Sequence, residues 1–178
     1  LLMIMNFVSN DHFCIGFFFT YTTKFGDYFD FYGCIDFRYY KGLHKNVITD
    51  LFGGQYYVDS YNRKSVLAEN SVNGGVTSWV NQKLGVGDVI RRDYDGFVMY
   101  EGGFAQLEYN KDKVSAFVSG GLTNTSYWRK DRFYYSGDKQ LSSKKHYLGG
   151  NVKAGLNYNL DDYNNVFFNT GFISRAPI

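Results

Sequence analysis

Proline and cysteine are both scarce in this sequence. The one proline, Pro177, is the second-last residue, so proline interrupts no strand that could be predicted before it. The two cysteines are Cys14 and Cys34. If a hairpin turns near residues 26–27, Cys34 pairs with about Thr20, which places Cys14 about 20 Å away. Because a disulfide requires Cα atoms within about 7 Å, we predict two free thiols.

Long hydrophobic runs and long basic runs are also missing. No stretch reaches the roughly 18 apolar residues of a membrane-spanning helix. The negative mean hydropathy does not exclude membrane-spanning strands, which are apolar only at every second residue. The net charge is +2, and the scattered charges do not favour nucleic-acid binding. The opening LLMIM has neither a charged leader nor a cleavage site. We therefore expect a truncated exported protein, with a cytosolic protein as the alternative.

Signatures of catalysis and of cofactor binding are missing too. No nucleophile elbow, zinc-protease helix or phosphate-binding glycine loop occurs. Asp161 and Asp162 are adjacent, but they lie in a predicted turn, where solvation explains them. Two cysteines and three histidines show no zinc spacing. We interpret His44 and His146 as exposed loop histidines rather than metal or haem ligands. We predict no enzyme activity, no cofactor and no metal.

Aromatic residues and glycine are abundant, which favours strands. The chain has 17 Tyr, 17 Phe and 20 Gly. In residues 96–125 two alternating segments flank a polar turn at 110–113. Before the turn, Ala105 and Leu107 alternate with Gln106 and Glu108, which is the period of a strand with one apolar face.

The same alternation predicts six strands joined as three hairpins. The other strands cover residues 12–24, 28–40, 147–159 and 166–172. Short turns are predicted at 25–27, 110–113 and 160–164, and long connections at 41–92 and 127–145. Short turns on one side and long connections on the other are typical of outer-membrane barrels.

The predicted fold is all-β: an antiparallel up-and-down transmembrane β-barrel. Lipid requires every backbone polar group to be paired, so a membrane sheet has to close on itself. Six strands are fewer than the eight of the smallest bacterial barrels, so we predict an arc of about six strands from a larger barrel. In isolation we expect a curved sheet with two open edges. The face predicted to line the lumen carries Asp36, Arg38, Gln106, Glu108, Lys153 and Asn157, among which Asp36 and Arg38 could pair.

Aromatic residues concentrate near the predicted strand ends. We interpret them as two interfacial girdles, although each residue could also be an ordinary strand residue. The girdle near the turns contains Phe25, Tyr28, Tyr109 and Tyr158. The girdle near the long connections contains Tyr39, Tyr94, Tyr127 and Trp128.

Six stretches carry a resemblance to a known family. They are residues 36–44 (DFRYYKGLH), 50–54 (DLFGG), 82–88 (QKLGVGD), 101–106 (EGGFAQ), 127–135 (YWRKDRFYY) and 174–177 (SRAP). In order and spacing they resemble the barrel domain of TonB-dependent outer-membrane receptors of Gram-negative bacteria. Such receptors have a 22-stranded barrel filled by an N-terminal plug, and an inner-membrane energy-transducing complex pulls on a short N-terminal box.

The resemblance implies that residues 1–178 form a partial barrel domain, without the plug, the energy-coupling box or the remaining strands. It implies energy-coupled uptake of a scarce nutrient at the outer membrane: a ferric siderophore, haem, cobalamin or a glycan. The expected partners are outer-membrane lipid, the missing plug and barrel strands, the energy-transducing complex and the small-molecule cargo. The alternatives are a passive binding or structural barrel, such as an adhesin, and a soluble ligand-binding barrel.

Aromatic and arginine side chains in the long connections are the candidate ligand-binding residues. Rigid rings with guanidinium groups suit a planar, anionic or sugar ligand. The candidates are Tyr56, Tyr57, Trp79, Trp128, Arg129, Arg132, Tyr134 and Tyr135, with Tyr127 beside them. For Tyr127 and Trp128 the alternative is a girdle that merges into a folded loop.

Overall fold

A computed structural model describes residues 3–59 and 82–175. The strands are β1 (Met5–Phe25), β2 (Phe29–Asp50), β3 (Val89–Lys111), β4 (Val114–Asp131), β5 (Lys145–Asn159) and β6 (Asn165–Ser174). They form one antiparallel sheet in the order β1-β2-β3-β4-β5-β6, in which each strand pairs with its neighbours in sequence. The fold is therefore an all-β open meander of six strands. The prediction of six strands in three hairpins is confirmed.

The strands are longer than predicted, and most of the extra length lies beside the long connections. β1 begins at Met5 instead of residue 12, β2 continues to Asp50, and β4 continues to Asp131. The sequence loses its alternation in these extensions because polar residues enter both faces. Backbone pairing does not require an apolar side chain, so the ladder continues. The first four strands have 21, 22, 23 and 18 residues.

The short turns use residues that accept their backbone angles. Gly26 has a φ of 63° between β1 and β2, and Asp112 has a φ of 49° between β3 and β4. Between β5 and β6 the Asp161 carboxylate accepts hydrogen bonds from the backbone N–H groups of Tyr163 (2.9 Å) and Asn164 (2.8 Å). Hydrogen bonds from the Asn164 side chain and from these two amides lower the pKa of Asp161.

The pairing of β5 with β6 places apolar residues opposite each other on one face. Val152 is opposite Phe172, and Leu156 is opposite Phe168. All four side chains are more than half exposed. Across the described residues, large exposed hydrophobic side chains far outnumber the buried ones, which are Ile48, Leu51, Leu84, Ile90 and Phe133. The sheet therefore has an apolar face that the described chain does not cover.

The chain divides into two compact units, and each strand of the first four contributes to both. The loop unit contains Leu1–Cys14, Tyr40–Phe97 and Tyr127–Lys144, and therefore both long connections. Its small core consists of Ile48, Leu51, Leu84 and Ile90, with Ile4 and Tyr57 packed against it. The turn unit contains Ile15–Tyr39, Val98–Ser126 and Lys145–Ile178, and therefore the three short turns.

Both cysteines are free, as predicted, with Cys14 exposed and Cys34 partly buried. Among the described residues no helix is long and apolar enough to cross a membrane.

Candidate functional site

Trp128 and Arg129 lie on β4, so their predicted placement in a loop is wrong. The Trp128 ring stacks on Phe97 of β3, with centroids 5.2 Å apart and an interplanar angle of 5°. The Lys144 ammonium lies 4.7 Å from the centroid of the Trp128 ring. This indole is therefore fixed by a neighbouring strand and a cation, which gives a rigid aromatic surface within the loop unit.

Arg132 is held by two carboxylates of β3. Its Nη2 atom lies 2.6 Å from Asp93 Oδ1 and 2.7 Å from Asp95 Oδ1, and its Nε donates to Asp93 at 3.0 Å. Lys41 adds an ion pair to Asp95 at 3.4 Å. Hydrogen bonds from Arg132 lower the pKa of Asp95, and the two carboxylates raise the pKa of Arg132. The predicted anion-binding guanidinium is thus already paired inside the protein, which favours a structural role.

Hydrogen bonds attach the connection between β4 and β5 to the end of β4. The Arg129 backbone N–H donates to Ser142 Oγ at 3.0 Å, and its carbonyl accepts from the Ser142 N–H at 2.9 Å. The Arg129 guanidinium lies 5.6 Å from the centroid of Tyr135. The Tyr134 N–H donates to Asp131 Oδ1 at 3.0 Å. The structure therefore brings Arg129 and Tyr135 together, as a ligand-binding cluster requires.

The predicted ligand-binding residues Tyr56 and Tyr57, in the connection between β2 and β3, contact other residues of that connection. Tyr56 is 40% exposed, and the Lys83 ammonium lies 4.6 Å from its ring centroid. Tyr57 exchanges two backbone hydrogen bonds with Leu84, at 2.7 and 2.8 Å, and packs on the core of the loop unit. Tyr57 is therefore partly buried against this core rather than a fully exposed ligand platform. Trp79 lies outside the described residues.

The residues predicted to line a lumen share one face within the turn unit. Arg38 donates to both Asp36 carboxylate oxygens, at 2.9 and 2.6 Å, which confirms the predicted pair. Gln106 Nε2 donates to Glu108 at 2.6 Å. Residues two apart on a strand point to the same side, so these bonds require a common face.

The other two members of that set lie on β5. Lys153 is opposite Gly171, and its side chain passes over the space that this glycine leaves. Asn157 Nδ2 donates to Asn159 Oδ1 at 3.0 Å. That this polar face borders a lumen stays a prediction.

Aromatic rings do cluster near the short turns. Tyr109 lies 5.1 Å from Phe29 and 6.4 Å from Tyr28, between ring centroids. Phe25 and Tyr158 are exposed there. Near the long connections the predicted girdle divides, because Tyr94 packs on His44 at 4.9 Å on β2 whereas Trp128 stacks on Phe97.

Two polar clusters were missed by sequence reasoning. In the turn unit, Asn124 Nδ2 donates to Glu101 Oε2 at 2.9 Å, and Ser126 Oγ lies 2.9 Å from His146 Nδ1. Ser126 is fully buried, so it cannot meet a substrate as a nucleophile. Asn124 Oδ1 is the one buried side-chain polar atom of the described residues that lacks a hydrogen-bond partner.

The second cluster is in the loop unit and joins β1 to β2. His12 Nδ1 lies 2.5 Å from Tyr40 Oη, and His44 Nδ1 lies 2.7 Å from Asn10 Oδ1. The two imidazole centroids are 5.9 Å apart. Sequence spacing gave no signal because the histidines are 32 residues apart and meet only through strand register.

The fold defines the class of protein: an all-β chain whose long strands form one open antiparallel meander with many exposed aromatic side chains. No protein-family model, curated protein or solved structure matches the chain.

Proposed function

We propose that this chain is part of an outer-membrane β-barrel of the TonB-dependent receptor type, which takes up a scarce nutrient with energy supplied from the inner membrane. The observation that carries the proposal is the exposed apolar face of the turn unit. Val152, Leu156, Phe168 and Phe172 are 51–72% exposed, and Leu122 and Leu148 reach 78% and 79%. A water-soluble sheet with this face uncovered would aggregate. Lipid acyl chains cover such a face without a further protein layer.

The opposite face supports the same proposal. Within the turn unit it carries the Asp36–Arg38 and Gln106–Glu108 pairs. Charged pairs of this kind are costly against hydrocarbon and are suited to a watery interior. One apolar and one polar face on the same strands is the arrangement of a barrel wall around an aqueous lumen.

Strand length supports an extramembrane extension of the barrel wall. A strand needs about 9–11 residues to cross a bilayer. β2 and β3 have 22 and 23 residues, about twice that length. The membrane-spanning part is proposed to lie in the turn unit, because Leu122, Val152 and Phe172 of its apolar face are exposed. The loop unit, which holds the ion pairs of Arg132 with Asp93 and Asp95, is proposed to carry the cargo surface.

The proposed cargo surface is centred on Arg129 and Tyr135, where the guanidinium lies 5.6 Å from the ring centroid. Arg129 stays available for an anionic or sugar ligand because its described guanidinium contact is with a ring rather than with a carboxylate. The cargo class proposed from the family resemblance is a ferric siderophore, haem, cobalamin or a glycan. The partners proposed with it are a plug, further barrel strands and the energy-transducing complex.

Site-specific spin labelling tests the membrane part. Single cysteines are placed at Leu122 and Val152 of the apolar face and at Gln106 and Lys153 of the polar face, in a chain with Cys14→Ser and Cys34→Ser. The complete barrel proposed to contain this arc is reconstituted in phospholipid vesicles, and collisions of each label with oxygen and with a water-soluble nickel chelate are measured. The proposal requires lipid exposure at the first pair and water exposure at the second. Equal water exposure of all four labels would refute it and favour a soluble or peripheral protein.

The proposed receptor function is tested by determining the gene sequence upstream of the codon for residue 1. A plug domain preceded by a short energy-coupling box supports the uptake function. A barrel with a leader peptide and no plug would instead favour a passive binding or structural barrel.

A further inference from the structure

We propose that the apolar face of the turn unit has a docking groove for a membrane lipid whose headgroup carries a primary ammonium group, and that Glu101 binds this ammonium. The site requires the membrane location proposed above for the turn unit. It does not require the uptake function or any particular cargo.

A groove of about 480 Å³ crosses the apolar face above Gly103 of β3. Its walls are large apolar side chains of the neighbouring strands, namely Ile35, Phe37, Leu122 and Leu148. Gly103 keeps the groove open, because a Cβ atom there would meet only the Cys34 carbonyl oxygen, at 4.0 Å. A flexible acyl chain can fill such a gap and gains van der Waals contacts with its walls.

Glu101 lines the end of the groove that is farther from the short turn between β3 and β4. It shares a face with Gly103, because the two residues are two apart on one strand. Its carboxylate accepts a hydrogen bond from Asn124 Nδ2 at 2.9 Å and forms no ion pair with a described residue. The other carboxylate of the described lining, that of Asp36, is engaged by Arg38 through two hydrogen bonds. Glu101 is therefore the negative charge that a ligand in the groove would meet.

The distance of Glu101 from the short turn matches one crossing of a bilayer. Glu101 lies ten residues before the end of β3 at Lys111, and Asn124 lies ten residues after the start of β4 at Val114. A membrane strand crosses the hydrocarbon in about 9–11 residues. With the short turn at one membrane surface, Glu101 and Asn124 lie at the headgroups of the other. Gly103 then lies at the level of the acyl chains.

The charge of the groove selects the headgroup. A carboxylate beside hydrocarbon is costly unless it is paired. The described lining contains neither Lys nor Arg, so nothing in it favours the phosphate of an anionic lipid. A primary ammonium is a compact charge with three N–H donors, whereas the methylated ammonium of choline has no N–H to donate. The occupant is therefore a lipid of the phosphatidylethanolamine class.

Fluorescence quenching by brominated lipids tests the site in the complete barrel proposed to contain this arc. Every native cysteine, including Cys14 and Cys34, is replaced by serine. A fluorophore is attached at Ala105→Cys, two residues beyond Gly103 on the same face, or at Leu156→Cys, close to the turn between β5 and β6. Vesicles of phosphatidylcholine receive increasing amounts of phosphatidylethanolamine or phosphatidylcholine with brominated acyl chains. We expect the Ala105 position to prefer phosphatidylethanolamine by about twofold to fivefold, the effect of one exposed ion pair. The Leu156 position should show no preference.

Three variants separate the charge from the groove. Glu101→Gln should remove the preference at Ala105 and leave quenching by phosphatidylcholine unchanged. Glu108→Gln is the matched control, because Glu108 lies on the opposite face of β3, and it should keep the preference. Gly103→Leu fills the groove and should lower quenching at Ala105 by both lipids, without a change at Leu156.

The outcomes distinguish the lipid site from the membrane location. Quenching at both positions with no preference at Ala105, or a preference that survives Glu101→Gln, would overturn the site and leave the membrane location standing. A stronger preference for brominated phosphatidylglycerol would also overturn it, in favour of an anionic lipid. Quenching at Leu156 alone would overturn it by showing that protein covers the groove. Absence of quenching at both positions would overturn the site together with the membrane location.

Discussion

Arg132, the residue that follows the end of β4, and Asp95 on β3 form a charged hydrogen bond of 2.7 Å, in which the carboxylate is 6% exposed and the guanidinium 32% exposed. Asp93 shares the same guanidinium. One arginine is therefore shared by two carboxylates of the neighbouring strand, and Lys41 supplies the second positive charge at Asp95. This is a cross-strand arrangement that ties β3 to β4 beside the longest connections of the chain.

Removal of this arginine should cost far more stability than removal of an exposed one. Arg132→Met leaves the nearly buried Asp95 with only Lys41, and we expect the free energy of unfolding to fall by about 1–3 kcal/mol. Arg38→Met is the matched control, because it breaks a bidentate pair whose arginine is 64% exposed. Exposed pairs contribute about 0–1 kcal/mol. Urea unfolding in detergent, followed by circular dichroism, compares the two. Equal losses would contradict the structural role of Arg132.

Asp95 should make stability depend on pH at the acid end. Arg132 lowers the pKa of Asp95 in the folded protein, relative to an unfolded value of about 3.9. The ionised form is therefore favoured by folding. Its contribution is complete above the unfolded pKa and is lost as the pH falls through the folded pKa.

The measurement is the difference in unfolding free energy between wild type and Asp95→Asn. It should be constant from pH 7 to about pH 5 and shrink below about pH 4. A difference that stays unchanged down to the acid limit of folding would show that the ion pair does not set this dependence.

Gly155 on β5 should be intolerant of even one added methyl group. A Cβ atom there would collide with Asn169 Oδ1 and with the ring of Phe117. Both neighbours are side chains on adjacent strands, so the Asn169 amide and the Phe117 ring would have to rotate out of their packed positions. We expect Gly155→Ala to lower the unfolding free energy by about 1–3 kcal/mol.

Gly96 on β3 is the matched control. Its Cβ position is open, with nothing within 4 Å, and its φ is not positive. Gly96→Ala should change the unfolding free energy by no more than about 0.5 kcal/mol. A larger effect at Gly96 than at Gly155 would contradict the packing described for β4, β5 and β6.

Alternation of side chains was enough to predict the strands and the order of the connections, because a strand buries or exposes every second residue. It also predicted the Asp36–Arg38 pair, which depends on one strand alone. Trp128 and Arg129 were wrongly placed in a loop because residues 124–126 and 129–131 are all polar. The alternation of apolar and polar side chains is therefore lost there, although the strand continues. Pairing of the backbone with β3 extends the strand through them.

Side-chain contacts between different strands could not be predicted from the sequence. The association of His12 with Tyr40, and of Asn10 with His44, depends on the register of β1 against β2. A shift of register by one residue would move every side chain of β1 to the opposite face. The pairing of Arg132 with two aspartates likewise requires knowledge of which residues of β3 face β4.

The core of Ile48, Leu51, Leu84 and Ile90 anchors the connection between β2 and β3. Both of its described ends, at residues 51–59 and 82–88, are anchored before any ligand arrives. Tyr57 and Leu84 are bonded to each other through their backbones, and Asp59 accepts a hydrogen bond from the Arg91 N–H at 3.1 Å. A molecule captured beside them does not have to supply the entropy of ordering these segments. Affinity at this end of the protein is therefore expected to follow the fit of the ligand, and to depend little on its ability to drive folding.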